Sequence, residues 1–241
     1  MPTKADTKID IKSLFEVGAH YGYSKSRRHP STKEFILGSK NNVEIFDLEK
    51  MAPMLAAAKD FVDSTVASGK QILFVGTKNE AKEVVKSGAL SSEMPFVENR
   101  WIGGTITNFS EIKKRVERLQ ELSEQREKGE LVKYTKKERL LLDREIEVLE
   151  KMFSGLVSMK KPPAAIFIVD PRKEKTAVSE ARRKKIPIVA LANSDCDLKE
   201  IDFPIPANDS AVSSIEFFVK QIVDAVVAGK KKVKSDADKA E

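Results

Sequence analysis

Three stretches of this chain are apolar at nearly every position: Gln71-Ile-Leu-Phe-Val75, Ala164-Ala-Ile-Phe-Ile-Val169 and Ile186-Pro-Ile-Val-Ala-Leu191. A strand with one wet face alternates apolar and polar residues, because successive side chains point to opposite faces. Runs without alternation suit strands covered on both faces, as in a parallel sheet between two helical layers. Helix-opening signals follow. Gly76-Thr77 ends the first run, and Thr77-x-x-Glu80 has the form of a capping box. After the second, Asp170-Pro171 fits a cap with proline at the first helical position, in a helix ending at Arg182-Arg183-Lys184-Lys185. Four cations there suit the helix dipole as well as they suit RNA. A short Phe203-Pro-Ile-Pro206 segment comes next. Asn208 or Asp209 then caps a last helix carrying Val212, Ile215, Phe218, Val219 and Ile222. The expected class is α/β, with right-handed crossovers.

Upstream, Ile11, Leu14, Phe15 and Val17–Ala19 suit one or two helical turns after a loose arm, residues 1–10. Phe35-Ile-Leu37 and Val43-Glu-Ile-Phe46 flank a Gly/Asn turn and read as a β-hairpin. Asp47 caps a helix with Leu48, Met51, Leu55, Ala58 and Val62 on one face; Pro53 delays its start or kinks it.

The α/β body is interrupted after Phe96-Val-Glu-Asn-Arg-Trp-Ile-Gly-Gly-Thr-Ile-Thr-Asn-Phe109. Trp101 beside Gly103-Gly104 indicates a large ring packed where the backbone turns tightly. Asn108-x-x-Glu111 fits a helix start. Ile112, Val116 and Leu119 then step by four and three, Gly129 breaks the pattern, and Thr135-x-x-Glu138 is another capping box. Leu142, Ile146, Leu149, Phe153 and Leu156 repeat the stepping, with Gly155 as a C-terminal stop. Two such seams predict an inserted antiparallel helical hairpin, zipped as a coiled coil. Residues 111–161 hold 14 Lys/Arg and 11 Asp/Glu. Mixed i,i+4 pairs account for much of that charge. The resulting domains are a body of 11–107 and 162–228, a hairpin of 108–161, and a disordered tail of 229–241.

Net charge is +6 and the pI about 9.2, which permits an anionic partner. One cysteine, Cys196, excludes an intrachain disulfide. No run of eighteen apolar residues is present, so no membrane span is expected. No nucleophile motif is evident, and His20 and His29 lack a partner pair at metal spacing. Asp195-Cys196-Asp197, near Asp202 and Asp209, could hold a cation, but such loops more often cap backbone. No catalytic residue, metal or cofactor is therefore assigned. Strand, Gly76-Thr77 and helix N-terminus also make the shape of a phosphate site, which keeps a nucleotide- or sugar-phosphate-binding enzyme as the alternative.

His20-Tyr-Gly-Tyr-Ser-Lys-Ser-Arg-Arg-His-Pro30 sets two tyrosines among Lys25, Arg27, Arg28 and His29. Cations for phosphates and flat rings for bases are what an RNA surface needs, although a loop with one tyrosine tucked into the core would look similar. Candidate RNA contacts are Lys25, Arg27, Arg28, His29, Arg100 and Asn108, then Lys113, Lys114 and Arg115 on the hairpin.

Several motifs, in order, resemble the bacterial small-subunit ribosomal protein family numbered two. Asn99-Arg-Trp-Ile-Gly-Gly-Thr-Ile-Thr-Asn-Phe109 is similar to its N-x-R-W-L-G-G-x-L-T-N-F pattern. Gly18-Ala-His-Tyr-Gly22, Ile72-Leu-Phe-Val-Gly-Thr-Lys78, Thr135-Lys-Lys-Glu138, Asp170-Pro171 and Ile205-Pro-Ala-Asn-Asp209 accompany it. The resemblance implies a flavodoxin-like three-layer α/β/α body with an inserted hairpin. It implies a structural, cytoplasmic role in the small ribosomal subunit near the head–body junction, contacting small-subunit rRNA. Neighbouring ribosomal proteins would be its other partners, including small-subunit protein one, which it would help to dock; no membrane or homo-oligomer is implied. The chain departs from the family pattern at Tyr23 (histidine in the pattern), at Arg28-His29 (Trp-Asn), and at Asn193 and Ser210 (carboxylates).

Overall fold

The computed structural model describes residues 10–237, with side chains to Val233. Residues 1–9 of the expected arm and 238–241 of the expected tail lie outside the described residues. The chain runs α1 (Ile11–Glu16), β1 (Tyr21–Ser24), β2 (Ile36–Lys40), β3 (Val43–Phe46), α2 (Leu48–Ala67), β4 (Ile72–Val75) and α3 (Asn79–Ser91). It continues with β5 (Phe96–Val97), α4 (Phe109–Glu127), α5 (Lys136–Phe153), β6 (Ala165–Val169), α6 (Lys175–Arg183), β7 (Ile188–Ala192), β8 (Phe203–Pro206) and α7 (Val212–Ala237).

Five strands form one parallel sheet in the order β5-β4-β6-β7-β8. Numbered among themselves the order is 2-1-3-4-5, that of doubly wound flavodoxin-like sheets. Ile72 and Phe74 point into a core shared with α2, α3 and α7. Leu73 and Val75 point into a second core with α6 and the α4–α5 pair. Both faces are covered, which explains why these strands lack alternation, and the architecture is a three-layer α/β/α fold. Pro204 and Pro206 are tolerated because β8 is an edge strand.

β1, β3 and β2 form a separate antiparallel sheet. The β2–β3 turn places Asn41 and Asn42 at φ of 52° and 64°, the left-handed pair a two-residue hairpin needs. Tyr21–Ser24, expected within a loop, forms β1 because β3 offers it an edge. β5 is two residues long, too short to announce itself by periodicity.

Several expected helix starts move. Asp47 caps α2, accepting from the Glu49 and Lys50 amides, and Pro53 lies inside a helix that still begins at Leu48. Thr135 and Glu138 form the expected capping box. Thr77 and Glu80 do not, because the Thr77 hydroxyl donates to Glu174 and α3 begins two residues later. Asp170 sits at φ 64° and opens a turn, so α6 starts at Lys175 rather than at Pro171. Asn108 makes no side-chain cap, and Glu111 pairs with Lys114 instead (2.7 Å). Asn208 and Asp209 precede α7 without being its first flanking residue; the Asn208 side chain accepts from the Ser210 amide.

The tail is corrected as well. α7 continues past Gly229 to Ala237. Gly229 serves close approach rather than termination, since a Cβ there would meet the Asp63 carbonyl at 2.7 Å and the Val66 Cβ at 2.9 Å. Lys230 pairs with Glu93, and Lys232 with Asp63. Gly155 follows the end of α5 as expected and also admits close approach: a Cβ would lie 2.3 Å from the Phe96 carbonyl oxygen. Backbone cannot yield as a flexible side chain can. Gly155→Ala should therefore destabilise the protein by about 1–3 kcal/mol. Urea unfolding checks this, and an unchanged midpoint would contradict the packing.

Candidate nucleic-acid interface

Several candidate loops lie at the carboxyl ends of the parallel strands, where doubly wound sheets place their sites. The loop after β5 is held by one side chain from α6. Glu180 Oε1 accepts from the Trp101 indole N–H (3.1 Å) and the Gly104 amide (2.7 Å). Its Oε2 accepts from the Ile106 amide (3.1 Å), the Thr107 amide (3.0 Å) and the Thr107 hydroxyl (3.0 Å). Gly104, at φ 95°, supplies the reversal that brings these amides to one point. Burial opposes the charge on Glu180. The donors from Thr107, Gly104, Trp101 and Ile106 outweigh it and hold the carboxyl below the usual carboxylate range. The sequence placed Trp101 in the core and a turn at the glycines. It gave no signal for Glu180, whose partners are more than seventy residues away.

A second buried network sits at the switch point between β4 and β6. The Lys78 ammonium lies 3.4 Å from Asp209 Oδ1 and 3.5 Å from Asp170 Oδ2, and it donates to the Tyr23 hydroxyl (3.2 Å). Burial works against that charge, but Asp209, Tyr23 and Asp170 together raise its pKa above the ordinary lysine range. Asn193 donates to Asp209 (2.7 Å), and the Ser210 hydroxyl donates to Tyr23 (2.9 Å). Tyr23, Asn193 and Ser210, three departures from the family pattern, thus meet in one cluster. Next to it, Glu174 accepts from the Thr77 amide (3.3 Å) and from the Thr77 hydroxyl. The backbone donor that would cradle a phosphate at Gly76-Thr77 is thereby taken by the chain's own carboxylate. Burial pushes the Glu174 pKa up, against the Thr77 donors.

The 25–29 segment docks onto the end of β7. The His29 amide donates to the Ser194 carbonyl (2.8 Å), and the Tyr23 amide donates to the Ser194 hydroxyl (3.0 Å). Arg27 stacks on the Tyr23 ring, 4.3 Å from its centroid, and lies 3.7 Å from Asp195. Arg28 pairs with the buried Glu44 (3.0 Å). His29 lies 3.7 Å from Asp197 and 2.8 Å from the Ser31 hydroxyl. Asp195 also receives Arg172 (2.7 Å). Lys25 is exposed. This surface is therefore cationic in sequence but largely neutralised in space. Its acids are engaged by cations, and among the described residues no group of three His, Cys, Asp or Glu side chains is placed to hold a metal. Cys196 is buried, and burial followed by the Asp195 charge pushes its thiol well above the usual range.

Arg100 is exposed beside the buried Trp101, and Asn108 is exposed at the root of α4. On α4, Lys113 lies 3.6 Å from Glu117 and Lys114 pairs with Glu111, while Arg115 is exposed. Ile112, Val116, Leu119 and Leu122 pack with Ile146, Leu149 and Phe153 of α5, and Arg118–Glu145 and Arg126–Glu150 link the two helices. That apolar seam is continuous with the second core of the sheet. The structure thus brings 25–29 together with the Asp195 loop, leaves Arg100 in a separate cleft, and sets 113–115 on the helical insertion.

The family model described as Ribosomal protein S2 matches residues 14–229. The chain is 41% identical over 235 residues to the small ribosomal subunit protein uS2 of Roseiflexus sp. (strain RS-1), covering 98% of this chain and 90% of that one. It is 40% identical over 230 residues to the protein of the same name from Chloroflexus aggregans, covering 95% and 97%. With its counterpart from Helicobacter hepaticus it shares 42% over 228 residues, covering 95% and 86%.

Three substitutions test this geometry. Glu180→Ala strands five donors and should cost at least about 3 kcal/mol in urea unfolding. The depressed pKa fixes a sign. Ionised Glu180 contributes stability above the unfolded value, about 4.3, and loses it as pH falls through the lower folded value. Glu180→Gln should therefore flatten the acid limb of stability, and an unaltered limb would refute the assigned network. Lys78→Met leaves Asp209 and Asp170 buried without their cation and should cost about 3–5 kcal/mol. A loss below about 1 kcal/mol would show that the cluster is not ionic.

Proposed function

The chain belongs to the ribosomal protein S2 family, and from that premise we propose that it is a structural constituent of the small ribosomal subunit, held there by rRNA. It is a structural protein of translation and not an enzyme. The finer reading places it near the head–body junction in the cytoplasmic ribosome, against small-subunit rRNA and neighbouring proteins, helping to dock small-subunit protein one. The α4–α5 insertion acts as a coiled-coil arm in that setting. Lys25, Arg27, Arg28, His29, Arg100, Asn108, Lys113, Lys114 and Arg115 are the proposed RNA contacts. Among the described residues, no helix is long and apolar enough to cross a membrane.

The carrying observation is the family match along residues 14–229. The geometry supports it. At the switch point, where this topology would seat a nucleotide, Lys78, Asp170, Asp209 and Glu174 bridge the loops to one another. That favours a scaffold over the alternative of a phosphate-ligand enzyme at Gly76-Thr77.

Purified protein should bind small subunits stripped of this component, with log affinity falling linearly against log salt. Nucleotides and sugar phosphates at millimolar concentration should leave its melting temperature unchanged. Salt-independent binding, or a saturating shift with a nucleotide, would remove the rRNA-scaffold reading.

A further inference from the structure

Most cations of the 25–29 segment face an acid at close range, so little positive charge is left there for a new anion. A different place has the opposite balance. Beyond the ends of β4 and β5 lies a cleft of about 430 Å³, whose walls include Lys82, Arg100, Lys173, Asn99, Trp101 and Glu174. Lys82 and Arg100 lie in no salt bridge among the described residues, while the Lys173 ammonium donates to the Thr77 carbonyl (3.2 Å) and its charge acts on Glu174. The single acid, Glu174, is buried, and its Oε1 accepts from the Thr77 amide. Three cations thus line a pocket with one carboxylate, whose Oε1 accepts from Thr77.

The cleft is also rigid where it matters. Asn99 donates to the Lys151 carbonyl at the end of α5 (2.9 Å), and Trp101 is fixed to Glu180. Arg100 stands between these two anchors, so its backbone is fixed before any ligand arrives, which lowers the ordering cost of binding. The guanidinium fork suits phosphate oxygens geometrically, and the two ammonium groups add charge from other walls.

We propose that this cleft seats a backbone phosphate of small-subunit rRNA, gripped by Arg100, Lys82 and Lys173. The proposal rests on the rRNA-binding reading above and moves its electrostatic centre from the 25–29 segment to the Arg100 cleft. Lys82 and Lys173 come from the first turn of α3 and the turn before α6, so sequence proximity could not have grouped them with Arg100.

The test compares wild-type protein, the triple variant K82Q/R100Q/K173Q and the single variant R100E for binding to stripped small subunits across a salt series. Melting curves establish that each is folded; R100E alters one exposed side chain and keeps the test decisive if the triple variant misfolds. The expected result is at least ~10-fold weaker binding for both variants, with the triple variant's salt slope shallower by about one unit. Wild-type binding matched by both variants in affinity and slope overturns the cleft while leaving the rRNA reading intact. Absence of wild-type binding removes both. Inorganic phosphate and a mononucleotide are titrated in parallel by thermal shift. A saturable stabilisation of wild type that R100E lacks would assign the cleft to a free phosphate ligand and overturn the RNA source.

Discussion

One buried carboxylate organises the functional end of this molecule. Glu180 reaches from α6 across to the loop after β5 and accepts five hydrogen bonds from Trp101, Gly104, Ile106 and Thr107. A charge placed there without donors would be costly, and so would three loop amides without an acceptor. Together they solve each other's problem. The consequence is positional: the loop cannot drift from α6, so Trp101 stays in the second core, Arg100 keeps its place at the cleft, and α4 departs from a fixed root.

Electrostatics on this surface are decided by pairing rather than by composition. A net charge of +6 says that an anion is welcome somewhere, not where. Arg27 and Arg28 concentrate charge along the chain, yet they face Asp195 and Glu44. Arg27 and His29 help fasten the 25–29 segment to the loop after β7, and Arg28 ties it to β3. Lys78 is likewise consumed by Asp170 and Asp209. Lys82, Arg100 and Lys173 are sparse along the chain but converge in space around one cleft.

The body of the fold was legible because burial on both faces leaves a one-letter trace, the apolar runs that became β4, β6 and β7. The Asp47 cap, the Thr135–Glu138 box and the Asn41-Asn42 turn were legible because their partners lie within four residues. What the sequence hid is non-local. Thr77 looked like a cap until Glu174 claimed its hydroxyl, and Asn108 looked like one although its side chain caps nothing. Gly155 does follow the end of α5, but neither it nor Gly229 showed in the sequence that its missing side chain admits the Phe96 carbonyl or α2. Lys25, Arg100 and Asn108 are exposed, whereas Arg27 and Arg28 form ion pairs with residues that only folding brings near.

Sedimentation of a lysate containing the tagged chain through a sucrose gradient measures the central claim most directly. The account predicts co-migration with the small subunit and release into the soluble fraction when the particles are washed at high salt, as expected of attachment dominated by phosphate contacts. A chain that remains at the top of the gradient at low salt would contradict it.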